Sequence, residues 1–278
     1  MTVLNCGGRA LQLDRPVVMG VLNVTPDSFS DGGRYTARDK ACRRAVEMVA
    51  EGAALIDIGA ESTRPGAQPV SVEQELERIV PILDVLVRDL PVPISIDTSK
   101  PQVMQEVLQR GAGMINDVRA LQAEGALDVV AASTVSVCLM HMQGEPGYMQ
   151  DSPEYGDVLV DIRRFLESRL LACEVAGIRR DRIVIDPGFG FGKTLAHNLT
   201  LLKRLSELHR LGVPLLVGLS RKSMLGKLLD APVDERLFGG LAAAVIAAWQ
   251  GAKIIRTHDV KATTEALCVC HAIMGASD

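Results

Sequence analysis

The stretch ACRRAVEMVAEGAALIDI, residues 41–58, decides the fold because it contains one complete change of period. Ala41, Ala45, Met48 and Val49 share one face of a helix, and Gly52 is placed where that helix should stop. Residues 55–58 then form a short branched-chain run, the signature of a buried strand. The unit recurs along the chain. Strand-like runs fall at 17–22, 55–58, 92–96, 114–115, 136–140, 183–185, 215–217 and 254–256. Helical patterns separate most of them, as with Ile162, Phe165, Leu166, Arg169 and Cys173 on one face. Ser71 followed by Gln74 is a capping-box start, and Gly251 is a second helix stop. Eight strand-then-helix units predict an α/β protein built as a (β/α)8 TIM barrel, with a doubly wound open sheet as the alternative. Residues 3–5 and 10–13, around Gly7 and Gly8, read as a short N-terminal β-hairpin within 1–15. Residues 1–278 read as a single domain.

Composition agrees with a layered barrel. Of the 278 residues 47% are hydrophobic but only 3% aromatic, so Val, Ile, Leu and Ala must fill the core. The net charge is -4 with no run of like charges, which gives no support to a nucleic-acid surface. The longest nearly apolar stretch, 239–249, is far shorter than the roughly 20 residues that span a bilayer, and no basic segment leads into an apolar one at the N-terminus. A soluble, unexported, cytoplasmic protein is expected. The six cysteines are scattered without zinc or redox spacing and read as reduced thiols. Cys268, Cys270 and His271 suggest a metal, but residues two apart on a helix face different ways.

A barrel enzyme carries its chemistry at the C-terminal ends of its strands. Reading each run to its end gives Asn23, Asp57, Asp97, Asn116, His141, Asp186, Ser220 and, on the last, Arg256 with His258. Any single Asp or Asn there is commonly a cap or turn former. Eight in succession are not explained that way. Arg256 and His258, two apart on an extended segment, project to one side where barrels bind phosphate, which points to a phosphorylated substrate. His197, His209 and His271 read as surface residues. The segment from Pro187 to Thr194, PGFGFGKT, nearly spells a P-loop but has Pro where that loop needs Gly, so its glycines point to close backbone approach to a ligand beside Asp186.

Four segments then carry a family resemblance: Asn23-Val-Thr-Pro-Asp-Ser-Phe-Ser-Asp-Gly-Gly33, Glu61-Ser-Thr-Arg-Pro-Gly66, Asp186-Pro-Gly-Phe-Gly-Phe-Gly-Lys193 and Ser220-Arg-Lys-Ser223. Smaller matches are Asp97-Thr-Ser-Lys100, Ile115-Asn-Asp117 and Met140-His-Met142. In this order the chain resembles the dihydropteroate synthases, a family of pterin-binding enzymes. The resemblance implies a transferase of folate biosynthesis that joins p-aminobenzoate to 6-hydroxymethyl-7,8-dihydropterin diphosphate, giving 7,8-dihydropteroate and diphosphate with Mg2+ assistance.

Carried over by position, the resemblance implies that Asp97, Asn116, Met140, Asp186, Phe191 and Lys222 hold the pterin. Asn23, Thr63, Arg64, Arg256 and His258 would take the diphosphate, with Asn23 on the metal. Phe29, Thr63, Arg64, Pro65, Ser220 and Ser223 would form the p-aminobenzoate side, and Asp97, Lys222 and Arg256 the catalytic set. Their chemistry suits these roles: a carboxylate accepts adjacent pterin N–H groups as a pair, and Ser223 is expected in the first turn of a helix, where free N–H groups attract a carboxylate. Ala60 stands where the family has Gly or Pro, which would strain the following loop if positive φ were required.

Rival readings are a pterin-binding methyltransferase domain, a silent paralogue and an aldolase using Lys193 or Lys222. The expected helix at 234–250 is apolar on every side over 241–249, which points to a homodimer through a face carrying Ala244 and Ala248.

Overall fold

The computed structural model describes residues 2–24, 34–61, 70–144, 149 and 153–276. An antiparallel hairpin, β1 (Val3–Cys6) and β2 (Arg9–Gln12), precedes eight parallel strands: β3 (Val17–Asn23), β4 (Ala53–Gly59), β5 (Ile94–Asp97), β6 (Met114–Asp117), β7 (Ser136–Met140), β8 (Ile183–Asp186), β9 (Leu216–Gly218) and β10 (Ile254–Thr257). The sheet runs in the order β8-β7-β6-β5-β4-β3-β10-β9. A bridge between Ile185 and Leu215, with Ile185 N donating to Pro214 O at 3.0 Å, joins its two ends. That closure excludes the open-sheet alternative and establishes the (β/α)8 barrel.

The outer ring is α1 (Arg34–Ala50), α2 (Val72–Asp89), α3 (Pro101–Gln109), α4 (Ala126–Ala131), α5 (Val158–Val175), α6 (Leu195–Lys203), α7 (Ser223–Leu229), α8 (Leu237–Trp249) and α9 (Val260–Met274). Local sequence sets several of their starts. Ser71 Oγ accepts from Gln74 N at 3.2 Å while Gln74 Oε1 accepts from Ser71 N at 3.2 Å, the expected capping box. Asp157 caps α5 through Leu159 N and Val160 N at 2.9 and 3.1 Å. Gly52 and Gly251, at φ of 102° and 95°, follow α1 and α8.

Period two along the strands divides the interior into layers. Met19, Leu55, Met114, Cys138, Val184, Leu216 and Ile254 form a lower apolar layer, closed from below by Leu4, Cys6, Leu11 and Leu13 of the hairpin segment. Each buried leucine contributes roughly 1.5–3 kcal/mol, so the hairpin is part of the core. Arg9 secures it by donating to Val87 O, Leu90 O and Val92 O at 2.5–2.6 Å. Packing between strands and helices makes the larger core outside this layer.

Several expectations need correction. The fourth barrel strand is not the two-residue run 114–115 but continues to Asp117, because Asn116 and Asp117 pair with Cys138 and Leu139. Likewise, the apolar run 55–58 is the inner part of a strand ending at Gly59, so Asp57 lies inside the barrel and not at its rim. The eighth helix starts at Leu237, with a 3-10 turn over Val233–Glu235 before it. Its Ala244 and Ala248 are buried in the chain's own packing, so they are not the exposed face expected. His197 is half-buried: Nδ1 accepts from Thr194 N at 3.3 Å, and its ring meets Tyr155 edge-on at 4.9 Å. His209 and His271 are exposed, as expected. Ala60 is buried without positive φ, which removes the strain considered for it.

Candidate active site

Two residues above the apolar layer the interior becomes polar. Asp57, fully buried, accepts from Ser95 Oγ at 2.6 Å, Asn116 Nδ2 at 3.1 Å and Arg256 Nε at 2.7 Å. The same guanidinium reaches Asp97 Oδ2 through Nη2 at 2.9 Å. One cation therefore serves two carboxylates on neighbouring strands. The pair drives the Arg256 pKa above its ordinary value even though burial opposes that. Burial pushes Asp97 up to about 7; Arg256 opposes the rise and the Asp57 charge adds to it. Asp97 is thus a carboxyl able to change charge near neutrality at the mouth of the barrel.

Asp186, at the end of β8, has no ion-pair partner within 4 Å among the described residues. Burial raises its pKa, against the Gly188 N–H, which donates to Oδ1 at 2.7 Å, and against the charge of Lys222. Burial in turn pulls Lys222 down to about 8, with Asp186 opposing. The Lys222 ammonium stands 4.1 Å from the centre of the Phe191 ring. Met140, Met149 and Phe191 make a small apolar cluster with Val118 and Met142 beside it. A carboxylate with free lone pairs, a buried amide at Asn116, an ammonium and an apolar wall are what a flat heterocycle with a donor-rich edge requires.

The loop after β8 explains its glycines. A Cβ on Gly188 would lie 1.9 Å from His141 O and one on Gly192 2.3 Å from Gln143 O, both at positive φ. The close approach is to the chain after β7, which brings Met140 and Phe191 together. Lys193 is buried and donates to Gly188 O at 2.8 Å and Phe191 O at 3.0 Å. Those bonds occupy the Lys193 amine and remove it as an aldolase nucleophile.

On the other side of the mouth, His258 Nδ1 lies 3.1 Å from Ser220 Oγ and its Nε2 3.4 Å from Asn23 Nδ2. Beside them opens a cavity of about 510 Å³ lined in part by Asn23, Arg221, His258 and Lys261. Ser223 is the first residue of α7, as expected, and is exposed.

The structure thus gathers Asp97, Asn116, Met140, Asp186, Phe191, Lys222 and Arg256 in one mouth, with Asn23, Ser220 and His258 at its edge. It does not bring His141 in: that ring is buried against Phe165, edge-on at 5.0 Å, and Lys193. Phe29, Thr63, Arg64 and Pro65 lie outside the described residues. Sequence reasoning missed how central Asp57 is, although alternation within Leu55 to Ile58 points its side chain inward. It also missed Ser95 as a partner of Asp57. Among the described residues no group of three or more His, Cys, Asp or Glu side chains is placed to hold a metal.

Comparison with known proteins agrees with this geometry. The model of the pterin binding enzyme family matches residues 19–258. Dihydropteroate synthase of Escherichia coli (strain K12) is 52% identical over 271 residues, covering 98% of this chain and 96% of that one. The crystal structure of the Yersinia pestis dihydropteroate synthase with a sulfonamide drug complex superposes with a TM-score of 0.94 at 54% identity, covering 99% of this chain and 100% of that one. That of Xanthomonas albilineans in complex with 7,8-dihydropteroate gives 0.89 at 44% identity, covering all of both chains. A polar barrel mouth with an apolar wall, on a chain matched from end to end at this identity, belongs to the pterin-binding enzymes, in the dihydropteroate synthase family.

Proposed function

We propose that the protein joins 6-hydroxymethyl-7,8-dihydropterin diphosphate to p-aminobenzoate, releasing 7,8-dihydropteroate and diphosphate. The observation that carries the reading is Asp186: a buried carboxylate with one N–H bond and, among the described residues, no cation within ion-pair distance, under the charge of the Lys222 ammonium that stands over Phe191. Its remaining lone pairs suit the adjacent N–H donors of a pterin edge, Asn116 can donate and accept beside it, and Met140 and Phe191 supply the faces.

In the reaction the bond between the pterin methylene and the diphosphate oxygen breaks, a bond from the same carbon to the amine nitrogen forms, and the amine loses one proton. Positive charge develops on the pterin-methylene group as the diphosphate leaves. Asp97, held by Arg256 beside it, is placed to stabilise that charge. Arg256, His258 and Asn23 receive the diphosphate, and Lys222 donates to a pterin ring acceptor. Ser220 and Ser223 take the p-aminobenzoate end, together with Phe29, Thr63, Arg64 and Pro65.

A magnesium ion fits this donor set only in company with the substrate. Asn23 offers one amide oxygen, and no carboxylate cluster among the described residues competes for the ion. Mg2+ characteristically takes one or two protein ligands and completes its shell with phosphate oxygens and water. Bound there by Asn23 and the diphosphate, it would neutralise charge on the leaving group.

The hairpin and barrel share one interior layer and act as one domain. No helix among the described residues is long and apolar enough to cross a membrane, and all six cysteines are free, which supports a cytosolic setting. Exposed apolar side chains on α8 support a homodimer. Incubating the purified protein with the dihydropterin diphosphate, Mg2+ and labelled p-aminobenzoate should yield labelled dihydropteroate. Absence of that product from a folded preparation would refute the reading.

A further inference from the structure

The glycine-rich loop after β8 departs from a P-loop at Pro187, yet it contains one of the most buried cations among the described residues. Lys193 is 3% exposed. Its Nζ meets Gly188 O at 2.8 Å, Phe191 O at 3.0 Å and His141 Nδ1 at 3.1 Å, three acceptors for the three N–H bonds of an ammonium. Burial holds His141 down to about 3, so the imidazole is neutral and has a lone pair to offer. Asn198 of α6, 2% exposed, grips the same loop from its far side. Its Oδ1 accepts from Gly190 N at 2.8 Å, and Nδ2 donates to Thr194 O at 2.7 Å and Lys193 O at 3.3 Å.

Two of these bonds bear on the mouth. The Gly188 residue whose carbonyl Lys193 holds also supplies the N–H that fixes Asp186 Oδ1. The second carbonyl belongs to Phe191, whose ring stands under Lys222. Burial pulls the Lys193 amine down to about 7, and in either charge state it keeps N–H donors for both carbonyls, so one buried side chain sets the spacing between the carboxylate and the aromatic wall. A loop with positive φ at 188, 190 and 192 has little intrinsic preference for this shape, so the side-chain bonds add to the Phe191 N–Gly188 O bond of 3.1 Å in holding it.

We propose that Lys193 and Asn198 are positioning residues for pterin recognition, touching no substrate and holding Phe191 and Asp186 at the spacing the pterin ring needs. The inference rests on the pterin reading of the site. Lys193→Met keeps an unbranched side chain, one atom shorter, and removes its donors; Asn198→Ala removes the Oδ1 that accepts from Gly190 N and the donors to Lys193 O and Thr194 O.

The test is calorimetry with 6-hydroxymethyl-7,8-dihydropterin diphosphate, alongside steady-state kinetics. In both variants affinity for the pterin diphosphate should fall roughly tenfold or more. At saturating pterin diphosphate, kcat and the KM for p-aminobenzoate should stay within about threefold of wild type, since the rest of the site is untouched. Wild-type pterin affinity in either folded variant overturns the proposal, as does an equal loss in kcat and both KM values, the mark of a general structural defect. Should Lys193→Met fail to fold, Asn198→Ala decides by the same two criteria. A wild-type protein that binds the pterin diphosphate but forms no dihydropteroate refutes the proposed activity, while the affinity comparison still decides the positioning role.

Discussion

Asp57, Asp97 and Asp186 bring the same functional group into three environments, and the differences assign their roles. Asp57 accepts from Ser95, Asn116 and Arg256 and serves as a fixed acceptor that aims the guanidinium. Asp186 keeps lone pairs free for a ligand. Asp186→Asn offers one acceptor where the carboxylate offers two and sets an N–H against a pterin N–H, so pterin affinity should fall by on the order of 2–5 kcal/mol. Unchanged binding by calorimetry would remove Asp186 from the site. Asp97 shares Arg256 with a second carboxylate, so its charge is incompletely answered. Its carboxyl binds a proton more tightly in the folded protein, at about 7, than in the unfolded chain, at about 3.8. The resulting contribution to stability is complete below the lower value and is lost as pH rises through the higher one. Asp97→Asn abolishes the titration while keeping an acceptor for Arg256. Its melting temperature relative to wild type should therefore climb between about pH 4 and 7 and then level off. A constant difference across that range would show that Asp97 does not titrate there.

Among the elements, the loop after β8 is the one whose sequence is hardest to replace. Gly188→Ala would need positive φ and would place a methyl 1.9 Å from His141 O, a backbone atom that cannot yield without moving the end of β7. Stability should fall by roughly 2–3 kcal/mol, with pterin affinity falling as well because Asp186 and Phe191 flank the displaced peptide. Denaturant titration showing wild-type stability would mean that the loop tolerates a different path. Sequence alone excluded a P-loop through proline at 187 and read the glycines as a close backbone approach to a ligand. It could not foresee that the close approach is to the His141 backbone, since that depends on which strands become neighbours. The eight strands, each starting within two residues of its expected place, and the capping box at Ser71 were equally legible, being local in origin. Strand ends were less so: Asn116 and Asp117 break the apolar run of β6 and look like a turn, yet cross-strand pairing to β7 keeps them extended. The partnership of Asp57 with Arg256, 199 positions apart, was beyond any local pattern. The residues proposed to hold the pterin, Asp97, Asn116, Asp186 and Lys222, could be named because each lies in a matched motif at or just beyond the end of a strand.

At the scale of the whole molecule the barrel has three distinct surfaces: a base sealed by the hairpin, a polar mouth, and a flank on which apolar side chains meet water. The flank belongs mainly to α8 and α9. Phe238 is 79% and Trp249 57% exposed on α8, with Ile246 between them, and Val269 and Ile273 are exposed on α9. Around α8, residues 238, 246 and 249 fall within roughly 80° of one another at 3.6 residues per turn, so they form one stripe. The small side chains Ala243, Ala244, Ala247 and Ala248 are turned to the interior and let α8 lie close to its own chain. An apolar helix thus has one face used within the subunit and another exposed to solvent, and a second copy of the same flank would be its simplest self-complementary cover. If that is the interface, Phe238→Glu combined with Trp249→Glu should give monomers that still bind the dihydropterin diphosphate. Each buried aromatic lost weakens association by roughly 1.5–3 kcal/mol per subunit, and the new charges repel across the two-fold axis. Ala244→Glu, by contrast, should unfold the barrel, because that position is interior. Light scattering that finds the wild type already monomeric at micromolar concentration would refute the dimer, and a double variant that stays dimeric would place the interface elsewhere.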